Sequence, residues 1–261
     1  MTILDQFHAH GWAVLPPEPS VAAWARAAFV AGGDALKDPQ QRAEWLQCGG
    51  TWFVGVDALA NAADGSIAGV PLTGAFLTLT GPMPPLHRAQ LSVTWPGYPK
   101  PREGEDDKGF AYRRNRDAAH VDGLLPIGPT RQRQLREPHA FILGLPLTEC
   151  DPGASPLVVW SGSHKRMGAA LCDALAKVPE PERSTYNLTQ PYIHARKDVF
   201  ETCPRHEISV APGGAIVLHR HLLHGIAPWL KGACAPDVGR QIAYFRPQYK
   251  TCLDWMKPDL V

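Results

Sequence analysis

The chain has 261 residues, with 26 Lys plus Arg against 25 Asp plus Glu and a net charge of +1; that length makes one large domain or two small ones, and so neutral a chain carries no global field to hold it on nucleic acid or an anionic membrane. A hydrophobic share of 44% with 20% charged residues is ordinary globular composition, which excludes disorder throughout and supplies a substantial core. The 24 glycines and 26 prolines demand many turns and few long helices, so a turn-rich β protein is favoured.

In chain order, residues 2–10 read as a short helix, Gly11 breaks it, and residues 12–15 read as a strand stopped by Pro16 and Pro17. The Ala-rich run 21–30 carries Val21, Trp24, Ala25 and Ala28 on one face, predicting a helix that runs out at Gly32 and Gly33, and residues 39–47 predict a further turn or two. From about residue 90 short apolar runs alternate with Gly and Pro, at 90–95, 140–145, 156–160, 207–210, 215–218 and 241–245, the pattern of a β-sandwich or jelly roll. Two segments interrupt it: a polar stretch at 97–119, too long for a hairpin turn, and a helix at 164–178 followed by a loop with Pro179 and Pro181. No internal repeat or linker divides the chain. Cys48, Cys150, Cys172, Cys203, Cys234 and Cys252 include no close pair, so reduced thiols are expected. With no basic-then-apolar leader and no run of about 18 apolar residues, the expectation is a soluble cytoplasmic protein.

Three motifs bear on chemistry. On a strand, His120 and Asp122 point to the same face and can present an imidazole and a carboxylate to one cation; a third nitrogen ligand about a hundred residues on completes a two-His-one-carboxylate face. Its bland alternative is a hydrogen-bonded loop pair. His219, His221 and His224 crowd six positions and supply that nitrogen, or else decorate an edge strand. Gly213 followed by His219 and His221 also begins like a cupin metal motif, but Gly225 and Ile226 stand where a cupin places its Glu. Arg240, Ile242, Tyr244 and Arg246 share one strand face, where a buried arginine needs an anion, either a ligand or a carboxylate of the scaffold.

Taken in order, these features resemble the phytanoyl-CoA dioxygenase superfamily of Fe(II)- and 2-oxoglutarate-dependent oxygenases. The likeness runs through residues 7–15, 89–97, His120-Val-Asp122-Gly123, 141–149, the 156–165 segment with Ser163-His164, 211–214, His224-Gly225 and Arg240. It implies a mainly β fold with flanking helices, a double-stranded β-helix (jelly roll, cupin-like) with N-terminal helices packed on one sheet. The whole chain, 1–261, would then be one domain: a helical part at 1–88 and a jelly-roll core at 89–250 with a lid at 97–119 and an insert at 164–206. Iron would be held by His120, Asp122 and His224, the last chosen because the family's distal histidine directly precedes a Gly. 2-Oxoglutarate, the co-substrate beside O2, would place its distal carboxylate on Arg240, with Thr94 or Ser92 beside it. Arg240 stands sixteen positions after His224, more than is usual, which keeps Arg246 as the alternative.

The implied reaction is hydroxylation of a small organic substrate with release of succinate and CO2. Asp122 fills the position that related halogenases give to chloride. A lid rich in arginine, with Arg113 and Arg116 foremost, points to an anionic substrate, unless those charges are solvated or paired elsewhere. Two other readings stand beside this one: a catalytically silent jelly-roll relative that binds a metal or small molecule, and a metal hydrolase or isomerase on a cupin-like barrel. No nucleic-acid or membrane partner is expected.

Overall fold

The computed structural model describes residues 2–257. The chain opens with helix α1 (Ile3–His10), nucleated by a capping box in which Thr2 accepts from the Asp5 amide and Asp5 answers the Thr2 amide. Gly11 ends it in the left-handed conformation and releases strand β1 (Trp12–Leu15). Helix α2 (Pro19–Lys37) passes straight through Gly32 and Gly33, where the sequence suggested a stop. A Cβ on Gly32 would sit 3.1 Å from Leu91, so that glycine lets the helix lie close to the sheet. The stop comes instead at Asp38-Pro39: Pro39 cannot extend α2, and Asp38 caps α3 (Pro39–Trp45) by accepting from the Gln40 and Gln41 amides.

Short strands β2 (Leu46–Gln47) and β3 (Trp52–Phe53), then helix α4 (Leu77–Thr80), lead to β4 (Gln90–Thr94) and α5 (Asp107–Asn115). A hairpin follows, β5 (Leu124–Ile127) with β6 (Gln132–Leu135), then β7 (Phe141–Pro146) and β8 (Leu157–Trp160). Helices α6 (Ser163–Ala176) and α7 (Thr189–Thr202) are joined by a 3-10 turn at Glu180–Thr185. The chain closes with β9 (Arg205–Ile208), β10 (Ala215–His219), β11 (His224–Ile226), β12 (Arg240–Phe245) and α8 (Cys252–Met256).

The strands form a seven-stranded antiparallel sheet, ordered β1-β10-β7-β12-β4-β3-β2, facing a three-stranded one, β11-β8-β9. Strand alternation splits the large sheet cleanly. Leu91, Val93, Leu143, Leu145, Val217, Ala243 and Phe245 turn outward and pack beneath Val21, Trp24, Ala25 and Ala28 of α2. Ile142, Ile216, Leu218, Ile242 and Tyr244 turn inward and meet Leu157, Val159, Ile208 and Leu222. A third cluster, with Met167, Leu171, Tyr192 and Val199, seats α6 and α7 outside the small sheet. The expected mainly β jelly roll with N-terminal helices on one sheet is therefore the observed architecture. The N-terminal part supplies the expected strand β1 at one edge of the large sheet and, beyond what the sequence implied, β2 and β3 at the other, and the insert gains a second helix, α7. No helix among the described residues is long and apolar enough to cross a membrane.

Candidate metal centre

His120, Asp122 and His224 converge, each offering a ligand atom within 4.8 Å of the others, and among the described residues no other cluster of His, Cys, Asp and Glu does so. Asp122 Oδ1 lies 3.1 Å from His120 Nε2 and 3.8 Å from His224 Nε2. The His120-Asp122 pair is not in a regular strand, as the spacing suggested. His120 instead forms an isolated antiparallel bridge with His224, amide to carbonyl in both directions at 2.8 and 3.0 Å, and Ile226 donates to the Asp117 carbonyl at 2.8 Å. Two backbones this close leave no room for a side chain: a Cβ on Gly225 would lie 2.1 Å from the Asp117 carbonyl oxygen, and one on Gly123 would lie 2.0 Å from that of Glu137. Each distal ligand is thus followed by glycine for a steric reason, and Gly123 also needs its positive φ of 81° to turn the chain after Asp122.

The ring nitrogens are sorted by their partners. His120 Nδ1 lies 2.9 Å from the Ala118 carbonyl and His224 Nδ1 2.9 Å from that of Leu222; carbonyls only accept, so each Nδ1 carries a proton and each Nε2 is left to face Asp122. Burial, with His120 alongside, pushes the His224 imidazole down to about 4, so at neutral pH its Nε2 carries a lone pair. Burial works to raise the Asp122 carboxyl, but Arg246, the His120 hydrogen bond and the two imidazoles outweigh it and hold the group well below the usual carboxylate range. The His224 lone pair and the ionised carboxylate are aimed at one point, an arrangement a cation would stabilise. Two nitrogens and one carboxylate oxygen on one face suit a divalent first-row metal such as Fe(II), and carbonyl-anchored Nδ1 atoms are the usual way a protein fixes such imidazoles.

The triad opens into a cavity of about 160 Å³ inside the barrel, walled by Trp52, Val54, Val56, Leu157, Leu218 and Ile226, with Gln90, Ser92, Tyr244 and Arg246 as its polar points. Arg246 Nη1 lies 3.5 Å from Asp122 Oδ2. Arg240 lines a separate, smaller cavity with Thr148, Cys150 and Ile242. Tyr244 lines the first cavity, and its hydroxyl accepts a hydrogen bond from Arg240, which lines the second. Arg240 is buried, yet its Nη1 has no partner, and neither has the Oγ1 of Thr94, its register neighbour on β4. Ser92 is already engaged as acceptor of the Trp52 indole N–H.

The lid arginines are placed otherwise than expected. Arg113 is buried on α5, paired with Glu105 and bonded to the Lys100 carbonyl and Cys48 Sγ; Arg116 stacks over Phe200 at 4.7 Å. Neither lines the cavity, because the 97–119 stretch folds its own helix and turns both guanidinium groups to structural partners. His219 and His221 stand apart from the triad, stacked between His164 and Trp255. Sequence reasoning missed Trp52, Val54 and Val56 as cavity wall; β3 is two residues long and gives no periodicity. For Tyr244 the signal existed, since it alternates with Arg240 and Arg246.

No protein-family model and no curated protein sequence matches the chain. Solved structures do. The non-heme α-ketoglutarate-dependent carbocyclase SnoK from nogalamycin biosynthesis aligns over 97% of this chain and 87% of its own, with a TM-score of 0.51 and 12% identity. AviO1 from Streptomyces viridochromogenes Tue57 aligns over 95% of both chains, with a TM-score of 0.47 and 14% identity. EctD from S. alaskensis, solved with 2-oxoglutarate and 5-hydroxyectoine, aligns over 93% of this chain and 73% of its own, with a TM-score of 0.44 and 14% identity. The fold of this chain is that of the non-heme α-ketoglutarate-dependent carbocyclase.

Proposed function

We propose that this protein is an Fe(II)- and 2-oxoglutarate-dependent oxygenase acting on a small organic molecule. The observation that carries the reading is the convergence of two Nδ1-anchored imidazoles and an ionised carboxylate at the mouth of a barrel cavity. Iron bound by His120, Asp122 and His224 supplies, with 2-oxoglutarate and O2, an oxidant able to hydroxylate an unactivated C–H bond while succinate and CO2 are released. The protein's part is positioning and the exclusion of water.

Arg240 and Thr94 are the groups we assign to the distal carboxylate of 2-oxoglutarate. Both present unpartnered polar atoms from buried positions, a guanidinium is the best geometric match for a carboxylate, and Tyr244 links Arg240 to the metal cavity. Arg246, the alternative, already faces Asp122. Trp52, Val54, Val56 and Ile226 form an apolar wall suited to a largely apolar substrate surface. Purified protein given Fe(II), ascorbate and 2-oxoglutarate in air is expected to form succinate slowly even without substrate, and Asp122→Ala to form none. Equal succinate from both proteins would refute the assignment.

A further inference from the structure

We infer that Arg246 is a positioning residue that keeps Asp122 a one-oxygen ligand of the metal. The inference rests on the triad reading above and deepens it. The two oxygens of Asp122 have different neighbours: Oδ1 faces the Nε2 atoms of both histidines, at 3.1 and 3.8 Å, whereas Oδ2 faces Arg246 Nη1 at 3.5 Å. A carboxylate binds a divalent cation through one oxygen or through both, and the second mode occupies one more coordination position. A two-His-one-carboxylate face leaves about three of six octahedral positions open only while the carboxylate lends a single oxygen. A guanidinium on the spare oxygen competes with the metal for that lone pair, and arginine is charged at every relevant pH.

The guanidinium is held where this competition takes place. The Arg246 carbonyl lies 3.2 Å from His87 Nε2 and 3.1 Å from His139 Nδ1, which pins the backbone just past β12. Arg240, six residues back on the same strand face, starts roughly 20 Å away and lines a different cavity. Because Arg246 is itself a cation, it does not raise metal affinity. Its effect is on how many positions stay open, and that separates this role from one in binding.

The test is the number of waters on a bound metal. Apo-protein loaded with Mn(II) and measured by EPR in ¹⁷O-enriched water is expected to show about three coordinated waters, and Arg246→Met and Arg246→Ala about two, with Mn(II) bound at least as tightly as before. Arg246→Lys restores the third, and Arg240→Met keeps it. Thermal unfolding of each variant establishes that it is folded, and a merely structural role for Arg246 leaves the water count at its wild-type value. The wild-type count in both Arg246→Met and Arg246→Ala overturns the inference and leaves the triad reading standing. Wild-type protein that binds no Mn(II) overturns both.

Discussion

Two groups of histidines meet in the segment His219–His224, and among the described residues only one of them converges on a carboxylate. At the triad, His120 and His224 each commit Nδ1 to a backbone carbonyl and turn Nε2 to an ionised Asp122. In the other group the rings form a row, His164 tilted on His219, His219 edge to face on His221 and His221 edge to face on Trp255, and His219 Nδ1 receives the His221 amide at 3.1 Å. Among the described residues the cavity beside that group is lined by Lys165, Arg220 and Lys257 and by no carboxylate. The contrast teaches that imidazole density alone does not specify a site. A carboxylate at the meeting point and carbonyls that fix the tautomer do.

Substitutions sharpen the contrast. The largest effect is expected from His224→Ala and Asp122→Ala, which should lower Mn(II) affinity by more than the ~10–100-fold typical of losing an outer partner, whereas His219→Gln should leave it unchanged; titration followed by EPR measures both. Glycines make the next pair. Gly225→Ala places a methyl against the Asp117 backbone and must part the two ligand segments, while Gly168→Ala meets the ring of His221 at 2.6 Å. Each should cost about 1–3 kcal/mol in urea unfolding, but only Gly225→Ala should also weaken the metal. Arg240→Met should raise the 2-oxoglutarate concentration needed for half-maximal binding by about 10–100-fold, the worth of a charge-assisted hydrogen-bonded pair, with metal affinity intact.

The smallest expected effect is on pH dependence. Burial, then the neighbouring His219, Arg220 and His164, holds His221 well below its ordinary value of 6.5. The unfolded chain therefore takes up a proton that the folded chain refuses, so stability is full above pH 6.5 and is lost as the pH falls below it. In His221→Gln the decline in urea midpoint of apo-protein from pH 7.5 to pH 5 should be shallower. An unchanged slope would show that His221 does not contribute to it.

The pattern of the barrel was legible in the sequence because strand alternation is local: each inner-face residue from Ile142 to Tyr244 follows from period two once the turns are marked by Gly and Pro. The triad was legible because His-x-Asp and His-Gly are short signals whose glycines answer a backbone clash. What stayed hidden depends on tertiary contact. Gly32 reads as a helix stop until Leu91 is seen against it. Arg113 reads as a solvent-facing lid charge until Glu105 and Cys48 close around it. Trp52 of the cavity wall belongs to a strand too short to announce itself, placed only by pairing with β4.

The central claim is that His120, Asp122 and His224 hold an iron to which 2-oxoglutarate binds. Anaerobic addition of Fe(II) and 2-oxoglutarate to metal-free protein tests it most directly, by the weak visible band near ~500 nm expected of a keto acid chelated to a facial-triad iron. The band is predicted in the wild-type protein and its absence in His224→Ala and Asp122→Ala. Wild-type protein that binds Fe(II) yet shows no band on addition of 2-oxoglutarate would contradict the claim.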